Sequence, residues 1–201
     1  MKILLMGEFS GFFSNLKIGF EKLGHQVDFY HDGDGGKKIG GEHNELMAVT
    51  NNKVLQFIHL YRITSRLKEY DLVLLINPSF MGIRYSMMIF DNLRKNNNTI
   101  FVSSCGDFSY LLDSVKNNEF KYYSFDDDHS SKYPKIITDY ERPIKGKVLR
   151  YIDRYILSRC NKIVPTAYEY YYPIRDMKNL VDCIPLPIEI PETEPKFDVV
   201  V

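Results

Sequence analysis

MKILLMGEFSGFFSNLKIGFEKLGHQVDFY, residues 1–30, is the stretch that decides the fold. Lys2–Met6 is a short apolar run that meets a turn at Gly7, and Gly7-Glu8-Phe9-Ser10-Gly11 is a glycine-bounded loop. Phe13, Leu16, Phe20 and Leu23 then recur at helical spacing, and Gly24 stands where a helix would end. Gln26–Tyr30 places Val27 and Phe29 on one side of an extended segment. Strand, glycine loop, helix, strand is the opening unit of a doubly wound α/β sheet. Its first loop lies where backbone N–H groups and a helix dipole converge, and glycine lets a ligand approach the main chain there. Gly7 and Gly11 serve equally well as plain turn residues. Their spacing is not G-x-G-x-x-G, so no dinucleotide fingerprint is present.

The pattern repeats downstream. Val54, Leu55, Ile58, Tyr61 and Leu67 predict a helix over about 51–69, and Asp71–Ile76 is a continuous apolar run of the kind buried on both faces of a parallel sheet. Asn77-Pro78-Ser79 turns the chain into a second predicted helix, about 83–95. Thr99–Ser104 is the next strand and delivers Cys105-Gly106-Asp107 to the same rim as the first loop. A helix begins near Tyr110. Another runs from Lys145 to Cys160 on Val148, Leu149, Ile152, Tyr155 and Ile156, with Lys147, Arg150, Arg154 and Arg159 on other faces. Lys162–Pro165 and Leu180–Ile184 read as strands five and six, and Thr166–Glu169 has the S/T-x-x-E form of a capping box. Phe197–Val201 has the composition of a seventh strand, after the Pro/Glu-rich segment 189–196. The expected fold is therefore α/β: doubly wound and mostly parallel, with six or seven strands and helices on both faces.

Composition excludes several classes. The chain has 201 residues, 26 basic and 26 acidic, so its formal net charge is zero and nucleic acid is not the expected partner. The three cysteines, Cys105, Cys160 and Cys183, have no zinc-site spacing. The first apolar run is far shorter than the ~20 residues a membrane span needs. A cytoplasmic setting is the expectation.

With Gly7–Gly11, Leu23-Gly24-His25-Gln26-Val27, Thr166–Glu169 and Ile184-Pro185-Leu186-Pro187-Ile188 in place, the chain resembles the N-terminal, acceptor-side domain of a GT-B glycosyltransferase. The retaining bacterial enzymes acting on polysaccharide or glycolipid precursors are the most similar group. Those proteins show a glycine-bounded first loop and a leucine–glycine–histidine–x–valine step into the second strand. Near the domain end they show a serine–glutamate helix start and a strand finishing in proline–x–proline–isoleucine. Here Thr166-Ala167-Tyr168-Glu169 lengthens the serine–glutamate pair.

The resemblance implies a Rossmann-like domain over 1–188, a linker over 189–196, and at 197–201 the first strand of a second, donor-binding domain. It further implies transfer of a sugar from a UDP- or GDP-sugar co-substrate to a saccharide or lipid-linked acceptor hydroxyl, without a bound metal, in the cytoplasm or at the inner face of the membrane. The donor-side lysine and glutamate of the family belong to the second domain, so the chain alone would be inactive.

Candidate site residues are those at the carboxyl ends of strands. Gly7, Glu8 and Gly11 form the first loop; Asn77, with Ser79, follows the third strand; Gly106 and Asp107 follow the fourth; Thr166 and Glu169 follow the fifth. Asp107 is the catalytic candidate, orienting an acceptor hydroxyl or taking its proton, and it serves equally as a helix N-cap. Cys105 reads as a small buried side chain and His25 as a cap or packing group. Asp126-Asp127-Asp128-His129 contains an Asp-x-Asp pair, the metal signature of the other glycosyltransferase fold, but its polar surroundings predict a solvated loop. The basic helix 145–159 is expected to pack on the sheet, with association to an anionic membrane as its second use. The competing class is a self-contained, non-catalytic α/β binding or regulatory domain. Its receiver-type version needs an Asp where Asn77 stands and an acidic pair where Glu8 stands alone.

Overall fold

The computed structural model describes residues 1–31, 52–80, 82–106, 108–120 and 141–187, with the side chains of 82–84 excepted. The segment His31–Glu45 beyond its first residue, Asp107, Asp126–His129, the 189–196 segment and Phe197–Val201 lie outside the described residues.

Five strands, β1 (Lys2–Met6), β2 (Gln26–Tyr30), β3 (Leu72–Leu75), β4 (Ile100–Ser104) and β5 (Lys162–Pro165), form one all-parallel sheet in the order β2-β1-β3-β4-β5. Register is fixed by pairs such as Leu4 with Asp28, Leu4 with Val73, Leu74 with Phe101 and Val102 with Ile163. Parallel strands need crossover connections, and the described ones are helical: α1 (Phe12–Lys22), α2 (Lys53–Thr64), α3 (Gly82–Asn96), α4 (Ser109–Lys116) and α5 (Pro143–Leu157). The β1→β2 step runs one way across the sheet and every later step runs the other. Right-handed crossovers therefore put α1 on one face and α2, α3 and α5 on the other. On that second face α3 packs against α2 on one side and α5 on the other. The core is what such a sandwich requires: Ile3–Met6, Val73, Leu75, Ile100, Val102 and Ile163 lie between the layers with Phe13, Leu60, Phe90 and Ile156 over them.

Local chemistry sets the ends. Gly24, at φ +81°, closes α1: its N–H reaches Glu21 O and the His25 N–H reaches Phe20 O, while the His25 and Phe20 rings pack 6.0 Å apart. Asn52 caps α2 by accepting from Val54 N and Leu55 N. The helix stops at Thr64 rather than near Glu69. There the Thr64 and Ser65 hydroxyls donate to Leu60 O and Tyr61 O, and the chain turns under them.

Two further expectations are corrected. The described sheet has five strands, not six or seven. Leu180–Ile184 does run beside β5, with Ile163 N donating to Asn179 O, Val181 N to Ile163 O and Ile184 N to Pro165 O. It forms only an isolated bridge between Ile163 and Leu180, because Pro185 and Pro187 have no N–H to extend a ladder. The capping box is not made either. The N-cap of α6 (Tyr168–Tyr171) is Ala167, without a side-chain cap, and Thr166 Oγ1 donates instead to Ser104 O at 3.4 Å. This last helix is a single turn that passes into 3-10 geometry over Tyr172–Ile174, where Pro173 lacks the N–H to continue the α-helical hydrogen-bond series.

Candidate functional site

The order 2-1-3-4-5 reverses direction between β1 and β3, and open α/β sheets bind ligands in the crevice beyond the carboxyl ends at such a point. The loops after β1 and β3 frame that crevice. Gly7, at φ +90°, donates from its N–H to Tyr30 O at 2.8 Å, and a Cβ there would overlap Ile76 Cγ2. Its glycine identity therefore comes from close packing of the first loop on the end of β3.

Glu8 turns inward. It is 5% exposed, and its carboxylate turns back under the first turn of α1. Oε1 accepts from Phe9 N at 2.7 Å and Phe13 N at 3.2 Å; Oε2 accepts from Ser14 N at 2.9 Å and Ser14 Oγ at 2.6 Å. Gly11, at φ +83°, is the N-cap residue and supplies no side chain, so the helix is capped by a carboxylate three residues further back. The N–H groups and positive dipole end that usually bind a phosphate are already satisfied by an internal anion.

The same device recurs at β4. The N-cap of α4 is Phe108, again without a side-chain cap, and Ser109 N donates at 2.8 Å to Oδ2 of Asp153, a fully buried residue reaching over from α5. Sequence reasoning passes over Asp153 among the apolar residues of its helix. The available signal is its spacing: it follows Leu149 by four residues and precedes Ile156 by three, on the face that packs inward.

Asn77 is half-buried and closes its own turn, its carbonyl accepting from Phe80 N at 3.3 Å and its Oδ1 from Ser79 Oγ at 3.5 Å. Cys105 is buried and donates to Ile76 O at 3.0 Å. Gly106, at φ +73°, lies under the Phe9 ring, at a separation where an added Cβ would meet Phe9 Cε2 at 3.6 Å. Phe9 is 40% exposed, so it bridges the β1 and β4 loops and presents a ring to solvent above the crevice. Sequence reasoning places Phe9 in the loop without assigning it a role.

Thr166 and Glu169 follow the edge strand, three strand spacings (about 14 Å) from β1, so they do not join Gly7 and Gly11 in one cluster. Glu169 lies in the first turn of α6, beside Tyr168, which is 66% exposed and packs against the Tyr171 and Tyr172 rings.

The rim thus holds the loops of Gly7, Glu8 and Gly11, of Asn77, and of Gly106, with the half-exposed Phe9 beside Gly106 and two helix N-termini filled by buried carboxylates. Among the described residues, no group of three or more His, Cys, Asp or Glu side chains is placed to hold a metal ion. Among them too, no helix is long and apolar enough to cross a membrane. No protein-family model matches the chain, and no curated protein matches it.

Proposed function

We propose that this chain is the acceptor-side half of a glycosyltransferase, holding a saccharide or lipid-linked acceptor while a second domain brings a UDP- or GDP-sugar. One observation carries the reading: Glu8 fills the anion site at the start of α1. A nucleotide diphosphate placed there would meet a buried carboxylate of like charge, so the donor phosphates belong to another wall of the cleft. What remains open on this wall suits a sugar. The Phe9 ring offers a flat apolar face for the C–H bonds of a pyranose, with the main chain of Gly106 beside it and the turn at Asn77 on the neighbouring strand end supplying polar groups. Asp107, next in sequence to Gly106, is the group proposed to orient the acceptor hydroxyl and take its proton.

The five-strand order favours a second reading, a self-contained binding domain of the flavodoxin-like or receiver-like arrangement. Its receiver version lacks the Asp needed at Asn77, and its one rim acid of the first loop is consumed as a cap.

Binding of an oligosaccharide panel to the 201-residue chain, followed by saturation-transfer NMR, tests the proposal. A saccharide should bind, with Phe9→Ala weakening it at least tenfold and no turnover of nucleotide sugar by the chain alone. Binding that ignores Phe9→Ala, or turnover without a second domain, would remove the proposal.

A further inference from the structure

We propose that the tyrosine cluster after β5 is a second saccharide subsite, which makes the acceptor an oligosaccharide reaching from Phe9 to Tyr168. The inference rests on the saccharide reading of the rim and extends it along the sheet. Residues 168–175 carry four tyrosines on the single turn of α6 and the 3-10 turn behind it, and among them only Ile174 is buried. A segment this short is held in shape by its rings. Tyr168 lies against Tyr171, with 6.3 Å between centroids and 25° between planes, and against Tyr172 at 5.9 Å. Tyr172 in turn meets Phe120 at 5.5 Å. The Arg175 guanidinium sits 4.1 Å over the Tyr172 ring, and its Nη1 donates to Tyr172 O at 2.8 Å. The shelf is therefore ordered before any ligand arrives, which lowers the cost of binding.

Its chemistry identifies the occupant. Among the described residues, the hydroxyls of Tyr168, Tyr171 and Tyr172 and the carboxylate of Glu169 have no hydrogen-bond partner. The cluster thus offers flat apolar faces edged with open donors and acceptors. A pyranose is built the same way, with C–H bonds on its faces and hydroxyls around its edge. An organic cation, the usual guest of an aromatic cage, is opposed by the Arg175 charge already seated on Tyr172. A polyanion meets Glu169 in the same turn. A hydrocarbon chain would cover the rings but leave three phenol hydroxyls without partners.

Position joins this subsite to the first. Thr166 N donates to Ser104 O at 3.2 Å and Ser104 Oγ donates to Tyr170 O at 3.4 Å, so the cluster is tied to the carboxyl end of β4. Two residues further along the chain, Gly106 lies under the Phe9 ring. Two residue lengths and these two contacts place Phe9 roughly 10–15 Å from the Tyr170 main chain. A single sugar ring is too short for that separation, whereas a short oligosaccharide spans it. Thr166 and Glu169, too far from Gly7 to share one small ligand, then lie along the path of an extended one.

Calorimetry and saturation-transfer NMR of the full 201-residue chain with starch-type, cellulose-type and chitin-type saccharides of one to four rings test this. In the series that binds, the tetrasaccharide should bind at least tenfold more tightly than the monosaccharide. Tyr168→Ala should remove that gain and leave monosaccharide affinity unchanged, whereas Phe9→Ala should weaken every length. Tyr168→Phe keeps the ring and should retain most of the gain. Tyr168 is 66% exposed, and unchanged circular dichroism confirms that its variants fold. Affinity independent of length, or a length gain that survives Tyr168→Ala, overturns the second subsite and leaves Phe9-dependent binding of a monosaccharide standing. Self-association in size-exclusion chromatography that Tyr168→Ala abolishes also overturns it, since the cluster would then be an interface between copies. Failure of every series to bind removes the saccharide reading of the rim, and this subsite with it.

Discussion

Removing the Glu8 carboxylate tests the account of the rim through stability before any ligand is known. Glu8→Ala leaves the Phe13 and Ser14 N–H groups without their acceptor in a site where Glu8 itself is 5% exposed. Hydrogen bonds to a charged group contribute about 1.5–3 kcal/mol, and a partly buried anion at a helix N-terminus up to about 2 kcal/mol. These overlap, so the expected loss is about 2–4 kcal/mol. For a domain of this size each kcal/mol moves Tm by roughly 2–4 °C, giving a fall of about 5–15 °C in a thermal melt followed by circular dichroism. Glu8→Gln keeps the shape without the charge and should fall between Glu8→Ala and the parent. Glu8→Ala also empties an anion site, so inorganic phosphate at matched ionic strength should raise its Tm by more than it raises that of the parent protein. A Glu8→Ala melt within about 1 °C of the parent would refute the reasoning, and so would equal phosphate stabilisation of both.

Two glycines with positive φ separate backbone strain from crowding. Gly24→Ala meets nothing within 4 Å and should cost about 1 kcal/mol in chemical denaturation, whereas Gly7→Ala adds overlap with Ile76 and should cost about 2–4 kcal/mol. A native thiol titration should find one reactive cysteine per chain, Cys183, because Cys105 and Cys160 are buried. Burial pushes the Cys160 thiol up to about 12, partly offset by hydrogen bonds and by Arg94. A thiol held neutral in the fold favours the native state below the ordinary thiol range and loses that advantage as pH rises from about 9 towards 12. Denaturant midpoints should therefore fall above about pH 9, by about 2 kcal/mol near pH 10.5 from this group, and Cys160→Ala should flatten the decline.

Much of the fold is legible in residues 1–30, because each local signal there agrees with the tertiary structure. An apolar run becomes a central strand, and Gly24 makes the helix stop that its position predicts. The same reasoning fails at Leu180–Ile184, where apolar composition suggests a strand but neighbouring prolines limit the pairing to one bridge. It fails again at Thr166, whose hydroxyl turns to Ser104 because the residue is still tied to the end of β4. The site was less legible than the fold. The carboxylates of Glu8 and Asp153 each cap a helix they do not belong to, so no short spacing rule reveals them. Phe9 gains its place over Gly106 only when β1 and β4 are brought onto one rim.

Under the proposed function this rim receives sugar hydroxyls and not a nucleotide diphosphate. A 1H–15N chemical-shift titration of the chain, first with UDP or GDP and then with the best saccharide of the panel, tests it most directly. Saccharide-dependent shifts are expected at the amides of Phe9, Asn77 and Gly106, and none at Phe13 or Ser14 with either nucleotide. Saturable diphosphate shifts at Phe13 and Ser14, where Glu8 now sits, would contradict it.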